Sequence, residues 1–488
     1  MLIASCLLVI MFKVTNIVCA FLILVSILCA PAHAGRLEAG EIRTINTISA
    51  ATRIPTPVTF QEPFDVPPIV VAISNQEGGN SASIRITNIT TTGFLALVIE
   101  PDNFDGRHIP QDVQYIAVEP GRHILPGGGA IEAGRTVTNS VQFGPGVSGT
   151  AGFTNVAFTS PMASPATVLS QLQTDNSETQ NVPSAPSRPH ITALTVNATT
   201  TGFQLALERS QSAIGTVLNE TVGWIAFPSA SNDTFPDING NAVNWGALNS
   251  SNTVRGWSDG CFNVTLPISS STRIAVAKKR TRFNQDGGWL RYCALGTSTI
   301  GLRVEEDTDL DNERSVAVAD AESVAIIAFS RPFHANLRAE IEVTKVSATV
   351  AGTSINGFSL PGAIREYIVT IRNVGNAPPN YSSILISDNL PPETDLLVSD
   401  IGANGTGPVA INIVRGGALL GFNYTSLDAV NDSVIFLDDN FASIAPTPDA
   451  NGTDGNVSIL RILPSGTLEG NRGSGPGEFT LRYRARIQ

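Results

Sequence analysis

The residues able to do chemistry are few and scattered. Cysteines stand at 6, 19, 29, 261 and 293, and the five histidines include His108, His123 and His190. No pair of these histidines has metal-ligand spacing, and no HExxH, GxSxG, GxGxxG or Walker sequence occurs. Two acidic loops offer oxygens suited to Ca²⁺. One carries Asp307, Asp309 and Asp311 at alternate positions, and the other carries Asp449, Asn451 and Asp454 among turn residues. The first lacks the central glycine of a calcium loop, and Val318 stands where a bidentate Glu would close it. The phrase from Asp102 through Asp105 to His108 is a polar spot fit to hold a ligand or a metal. Spacing pairs no two carboxylates as acid and base. The chemistry expected is binding, with Ca²⁺ the one cofactor considered.

These residues must be held by a chain of 488 residues, long enough for roughly three or four domains. Only 15% of it is charged, against about 25% in a typical soluble protein, while 43 Gly and 30 Pro punctuate it. That composition excludes coiled coils and helical repeats. A net charge of −12 argues against nucleic acid, which needs clustered Lys and Arg. Residues 1–34 read as a signal peptide: an apolar run from Ile17 to Ala30 follows Lys13 and ends at Ala32-His33-Ala34. No later stretch has the length and apolarity of a membrane span. Cleavage would take three cysteines away and leave Cys261 and Cys293 as one disulfide in an oxidising compartment.

The remainder repeats itself. Asn88-Ile-Thr-Thr-Thr-Gly93-Phe94 matches Asn197-Ala-Thr-Thr-Thr-Gly202-Phe203. Val113-Gln-Tyr115-Ile-Ala117 matches Val222-Gly-Trp224-Ile-Ala226, and Glu38-Ala39-Gly40 matches Glu132-Ala133-Gly134. A worn third copy runs through Gly296–Glu305 and Glu322–Phe329, with Ile326 at the aromatic position. Short β-branched runs between Gly, Pro, Asn and Asp clusters predict strands, and no 3.6-residue period persists. Thr-Thr-Gly is expected to form a tight hairpin with φ > 0 at the glycine. The fold class predicted is all-β, as tandem antiparallel sandwiches over 35–128, 129–235 and 236–334, with a further domain over 335–488.

The early Glu-x-Gly, the Phe-x-x-Pro-Phe-x-x-Pro-Pro phrase, the Asn-x-Thr-Thr-Thr-Gly-Phe turn and the closing Val-x-Trp-Ile-Ala resemble the H-type lectin domain. The resemblance implies a six-stranded sandwich that binds galactose-type sugars, commonly as a trimer with sites between subunits. It places Arg85 at the ligand-facing arginine, a planar donor for vicinal hydroxyls, and Tyr115 and Trp224 at the closing aromatic, whose face suits sugar C–H stacking; Asp105 and His108 of the polar phrase are further sugar-binding candidates, and the resemblance implies a surface protein of a Gram-negative bacterium. Glycans or surface proteins would be the partners. Three copies in one chain would form an intrachain pseudo-trimer with sites at the seams between copies. Residues 335–488 resemble the bacterial surface repeat known as domain of unknown function eleven, an Ig-like spacer, through Pro361-Gly-Ala, Tyr367-x-Val-x-x-x-Asn373-x-Gly-Asn376 and Asp388-x-Leu-Pro-Pro392.

Overall fold

The computed structural model describes residues 25–26, 35–46, 54–101, 108–125, 129–144, 150–177, 189–209, 216–308, 312–355, 358–379, 381–402, 405–417, 420–471 and 475–488. Apart from Val25–Ser26, the signal segment expected over 1–34 lies outside them. The protein is all-β, and its described helices are two single 3₁₀ turns. No described helix is long and apolar enough to cross a membrane. The chain divides into two compact units, one of Ala34–Leu337 and one of Arg338–Gln488 with Met1–His33.

In the first unit each copy folds as a pair of sheets, antiparallel except where the two-residue strand Val141–Gln142 pairs in parallel with Gly202–Arg209. Copy one supplies β1 (Gly35–Arg43), β2 (Thr56–Thr59), β3 (Ile69–Ser74), β4 (Ser83–Thr87), β5 (Gly93–Ile99) and β6 (Asp112–Val118). Copy two supplies β7 (Gly121–Ile124), β8 (Ala130–Thr138), β9 (Val141–Gln142), β10 (Thr154–Ala157), β11 (Ala166–Leu172), β12 (Ile191–Val196), β13 (Gly202–Arg209) and β14 (Glu220–Pro228). Copy three supplies β15 (Ser231–Pro236), β16 (Ala242–Asn249), β17 (Phe262–Thr265), β18 (Ile274–Lys279), β19 (Trp289–Leu295), β20 (Thr299–Glu305), β21 (Val324–Phe329) and β22 (Phe333–Leu337). The outer sheets run β2-β5-β4, β10-β13-β12 and β17-β20-β19. The inner sheets run β22-β1-β6-β3, β7-β8-β14-β11 and β15-β16-β21-β18.

The inner edges close a ring. β7 follows copy one's closing strand and joins the sheet of copy two, and β15 follows copy two's and joins that of copy three. β22 follows copy three's closing strand and returns to β1 of copy one. There His334 Nδ1 meets Glu38 Oε2 at 2.9 Å, and both side chains are buried. Strands β3, β11 and β18 touch one another at the centre of the ring. Both their faces are therefore covered, which explains why β3 reads as an unbroken apolar run, Ile-Val-Val-Ala-Ile.

Register shows why the repeated glycines recur. The tight turns at Asn88 and Asn197 place φ > 0 on the asparagines, at 48° and 53°, and not on Gly93 or Gly202. Those glycines are needed because a Cβ would overlap the carbonyl oxygens of Val58 and Val156. The first threonine of each turn, Thr90 or Thr199, accepts from the glycine N–H at 3.2 Å, a side-chain turn closure that Ser or Thr provides. In copy three Cys261 and Cys293 form a disulfide, with Cα atoms 6.0 Å apart across 32 residues. It flanks Gly301, whose missing side chain makes room for Cys261 Sγ. Replacing both cysteines by serine is expected to lower stability by about 3–4 kcal/mol on the loop-closure estimate, read from the chemical denaturation midpoint.

The second unit reads directly from its alternation. Phe479, Leu481, Tyr483 and Ala485 of the strand Gly477–Ile487 are fully buried, while Arg482, Arg484 and Arg486 take the opposite face. That strand pairs with Ile364–Asn373, which pairs with Ile341–Ala351. A second sheet joins Ile386–Asn389, Ile459–Ile462 and Val434–Leu437, with Val25–Ser26 paired to Ile386–Asn389. Lys345 Nζ and Tyr483 Oη both reach the buried Asp388, at 2.7 and 2.9 Å, so that carboxylate is paired and hydrogen-bonded.

Candidate functional site

The structure brings together only part of the expected site. Tyr115 is 4% exposed and Trp224 6%, so neither presents a face for sugar stacking. Each ring lies over the glycine of its Glu-x-Gly phrase. A Cβ on Gly40 would come within 2.7 Å of the Tyr115 ring, and one on Gly134 within 2.5 Å of Trp224. Tyr115 Oη donates to Glu38 Oε1 at 2.7 Å, and burial first, then Glu38, push its pKa up. Trp224 Nε1 donates to Thr136 at 3.1 Å, and its ring packs edge-on to Phe203. Glu38 and Glu132 also accept from the backbone N–H of Gln61 and Thr159, both at 2.9 Å. The motif is a core-and-loop clamp, and the stacking expectation is corrected accordingly.

His108 is also buried, which lowers its pKa. Its Nδ1 faces the Ile109 carbonyl at 2.9 Å, so the ring belongs to the packing of its loop. Asp105 lies outside the described residues, as do Asp309 and Asp311. Asp307 is buried in copy three. Asp449 spends its carboxylate on the N–H groups of Thr453 and Asn451, at 2.8 Å each, and these bonds hold its pKa down at about 2. Asp454 likewise accepts from Thr447 and Asn456. Asn451 donates to Asp449. These are turn-capping carboxylates, and no group of three His, Cys, Asp or Glu among the described residues could hold a metal ion. The loop geometry that suggested calcium arises from the turns themselves.

Arg85 is the expected residue that remains at a seam. It pairs in register with Leu97, three residues after Phe94. The same register puts Leu194 opposite Ala206 and Arg291 opposite Arg303. Val58, Val156 and Val264 face Phe94, Phe203 and Ile300 in the three outer sheets, which fixes the alignment. The equivalent positions are thus Arg85, Leu194 and Arg291, and both arginines bond groups of the next copy. Arg291 was not legible in the sequence, because its strand precedes the recognisable part of copy three.

The three seams differ in what fills them. At the seam of copies three and one, Arg291 is 1% exposed and donates to the carbonyls of Asn75, Asn80 and Glu77, to Gln111 Oε1 at 2.6 Å and to Glu305 at 3.2 Å. At the seam of copies two and three, Glu208 pairs with Lys279 at 3.0 Å and with Arg282 at 3.1 Å. At the seam of copies one and two there is a cleft of about 260 Å³. Half-buried Leu95 and Leu97 form its floor, Thr87 and Asn88 its rim, and Arg85 and Asp175 its charged wall. Arg85 Nη2 donates to the Ile191 carbonyl of copy two at 2.8 Å. Burial raises the Asp175 pKa and the charge of Arg85 opposes that rise.

Comparisons with protein-family models, with curated proteins and with solved structures found no match to this chain.

Proposed function

We propose that the chain is a non-catalytic recognition protein working outside the cytoplasm, in which one polypeptide takes the place of a trimer. More particularly, we read it as a glycan-binding adhesion protein, with the cleft between copies one and two as its binding site. The observation that supports this reading is a cleft in which the Asp175 carboxylate and half-buried leucines stand beside the buried guanidinium of Arg85. A carboxylate accepts from sugar hydroxyls, and leucines cover the C–H face of a ring. The disulfide fits an oxidising compartment. Thr87→Trp would place an indole in the cleft that Thr87 and Arg85 both line. On a glycan array it is expected to cost at least about tenfold in affinity, roughly 1.4 kcal/mol, while the core change Trp224→Phe leaves binding in place. Binding should also weaken as pH falls through the raised Asp175 value, since the protonated acid accepts less well. Equal glycan binding by wild type and Thr87→Trp, or none by wild type, would sink the reading.

A second reading, a structural protein–protein module of a bacterial surface or pilus assembly, draws on the second unit. Its strand Ile341–Ala351 pairs on one side only among the described residues, and Val346 is 62% exposed on it. A long free edge with exposed valines can take an added strand. Absent glycan binding together with co-purification in a surface assembly would favour this role.

A further inference from the structure

The second unit buries an amine against a carboxyl group across its two sheets. Lys345 lies on Ile341–Ala351, in the sheet of Gly477–Ile487, and Asp388 lies on Ile386–Asn389 of the other sheet. Their side chains are 3% and 1% exposed, and Lys345 Nζ stands 2.7 Å from Asp388 Oδ1. Tyr483 Oη donates to the other carboxylate oxygen, Oδ2, at 2.9 Å. The rings of Tyr367 and Tyr483 stack 5.1 Å apart and cover the amine, with Nζ 4.9 and 5.4 Å from their centres. Both tyrosines belong to the apolar core of this unit. Burial first, then Asp388, push the Tyr483 pKa well above its ordinary value, so that hydroxyl keeps its proton as a donor.

Taking both charges out of water is costly, and joining them as an amide removes both and releases water to the solvent. Contact and burial also hold the nitrogen against the carboxyl carbon, which replaces a bimolecular encounter by a fixed approach. We propose that Lys345 and Asp388 form an intramolecular isopeptide bond that staples the two sheets of this unit. The Lys345 ammonium gives one proton to Asp388 Oδ1, and the neutral amine attacks Cγ. The Nζ–Cγ bond forms while the Tyr483 hydroxyl bonds to Oδ2 as that oxygen takes the negative charge. A second proton passes from Nζ to Oδ1. The Cγ–Oδ1 bond then breaks with its electron pair, Oδ1 leaves as water, and Oδ2 becomes the amide carbonyl oxygen. Nζ keeps one hydrogen, Tyr483 keeps its proton, and nothing is oxidised or reduced. The bond closes a span of 43 residues in a region, 338–488, that holds no cysteine. It would constrain the unfolded chain as a disulfide does, without being open to reduction.

The test is tryptic mapping of the full wild-type chain by mass spectrometry. Trypsin cuts after a free Lys345 and spares an acylated one. The crosslinked chain should therefore yield residues 339–365 joined to residues 373–415, one water lighter than the two peptides together. Lys345→Met should abolish the joined peptide. Asp388→Asn should give a joined peptide of the wild-type mass, because ammonia leaves in place of water and the product is the same amide. Tyr483→Phe should slow bond formation about a hundredfold or more, the usual effect of removing one oxyanion donor. Complete cleavage after Lys345 in the wild type, with residues 373–415 recovered alone at full mass, would overturn the proposal.

Discussion

Arg291→Met is expected to lower the stability of the 34–337 unit by about 3–5 kcal/mol, the range for breaking a buried charged pair from one side. Four acceptors of copy one, the carbonyls of Asn75, Glu77 and Asn80 and the Gln111 side chain, would each lose a donor inside the seam, although Glu77 and Gln111 still bond each other. Glu305, fully buried, would keep Arg314 and Ser81 but lose Arg291. Burial lowers the Arg291 pKa and Glu305 opposes that shift, so the guanidinium is held by its surroundings and not by solvent. Arg291→Lys should recover only a small part, because an ammonium cannot span that fork of acceptors. The equivalent Leu194 shows that an aliphatic side chain is accepted, buried, at this register position in copy two. The loss should appear as a lowered denaturation midpoint. It should also appear as faster hydrogen exchange at the Gln76 amide, which donates to the Tyr292 carbonyl across the same seam at 2.8 Å. A variant as stable as wild type, with Gln76 still protected, would show that the copies are held together elsewhere.

What the sequence disclosed and what it hid follow the range of the interactions. The all-β class was legible because alternation and turn residues are local. The strand Gly477–Ile487 buries every second residue as its sequence indicates. Asn88 and Asn197 were legible as turns for the same reason, although the left-handed residue was assigned to the glycine five positions on. The aromatic positions Tyr115 and Trp224 stood out correctly as special, but for the wrong property. Their partner is a glycine more than 70 residues earlier in the chain, and a missing Cβ leaves no signal of what it admits. Arg291 and Lys278 carry the seam and the centre through contacts with other copies, at separations beyond 100 residues. Nothing in their neighbours along the chain marks them. In the Asp449 loop the carboxylate is taken up by the turn's own N–H groups; Asx turns and calcium loops share the same residues, and only hydrogen-bond geometry separates them.

Trp224→Ala is expected to cost about 3–5 kcal/mol, the range for removing a buried aromatic. The indole is 6% exposed and contacts Phe203 and Phe158 at centroid distances of 5.3 and 6.1 Å, so its removal leaves a void in the core of copy two. Gly134→Ala should be destabilising by the opposite route, since its Cβ would stand 2.5 Å from the ring and neither the strand nor the indole can retreat in a packed core. The two changes are therefore coupled. In a Trp224→Leu background the space over Gly134 is free, and Gly134→Ala should cost markedly less than it does beside tryptophan. A double-mutant cycle on denaturation midpoints measures that coupling, expected at about 1–3 kcal/mol for residues in contact. If Trp224 instead served a ligand, Trp224→Ala would remain stable while binding failed, and the cycle would show additivity. Stability lost in both single changes, with the glycine's cost falling once the tryptophan is gone, is the signature of a ring that the Glu-x-Gly phrase exists to seat.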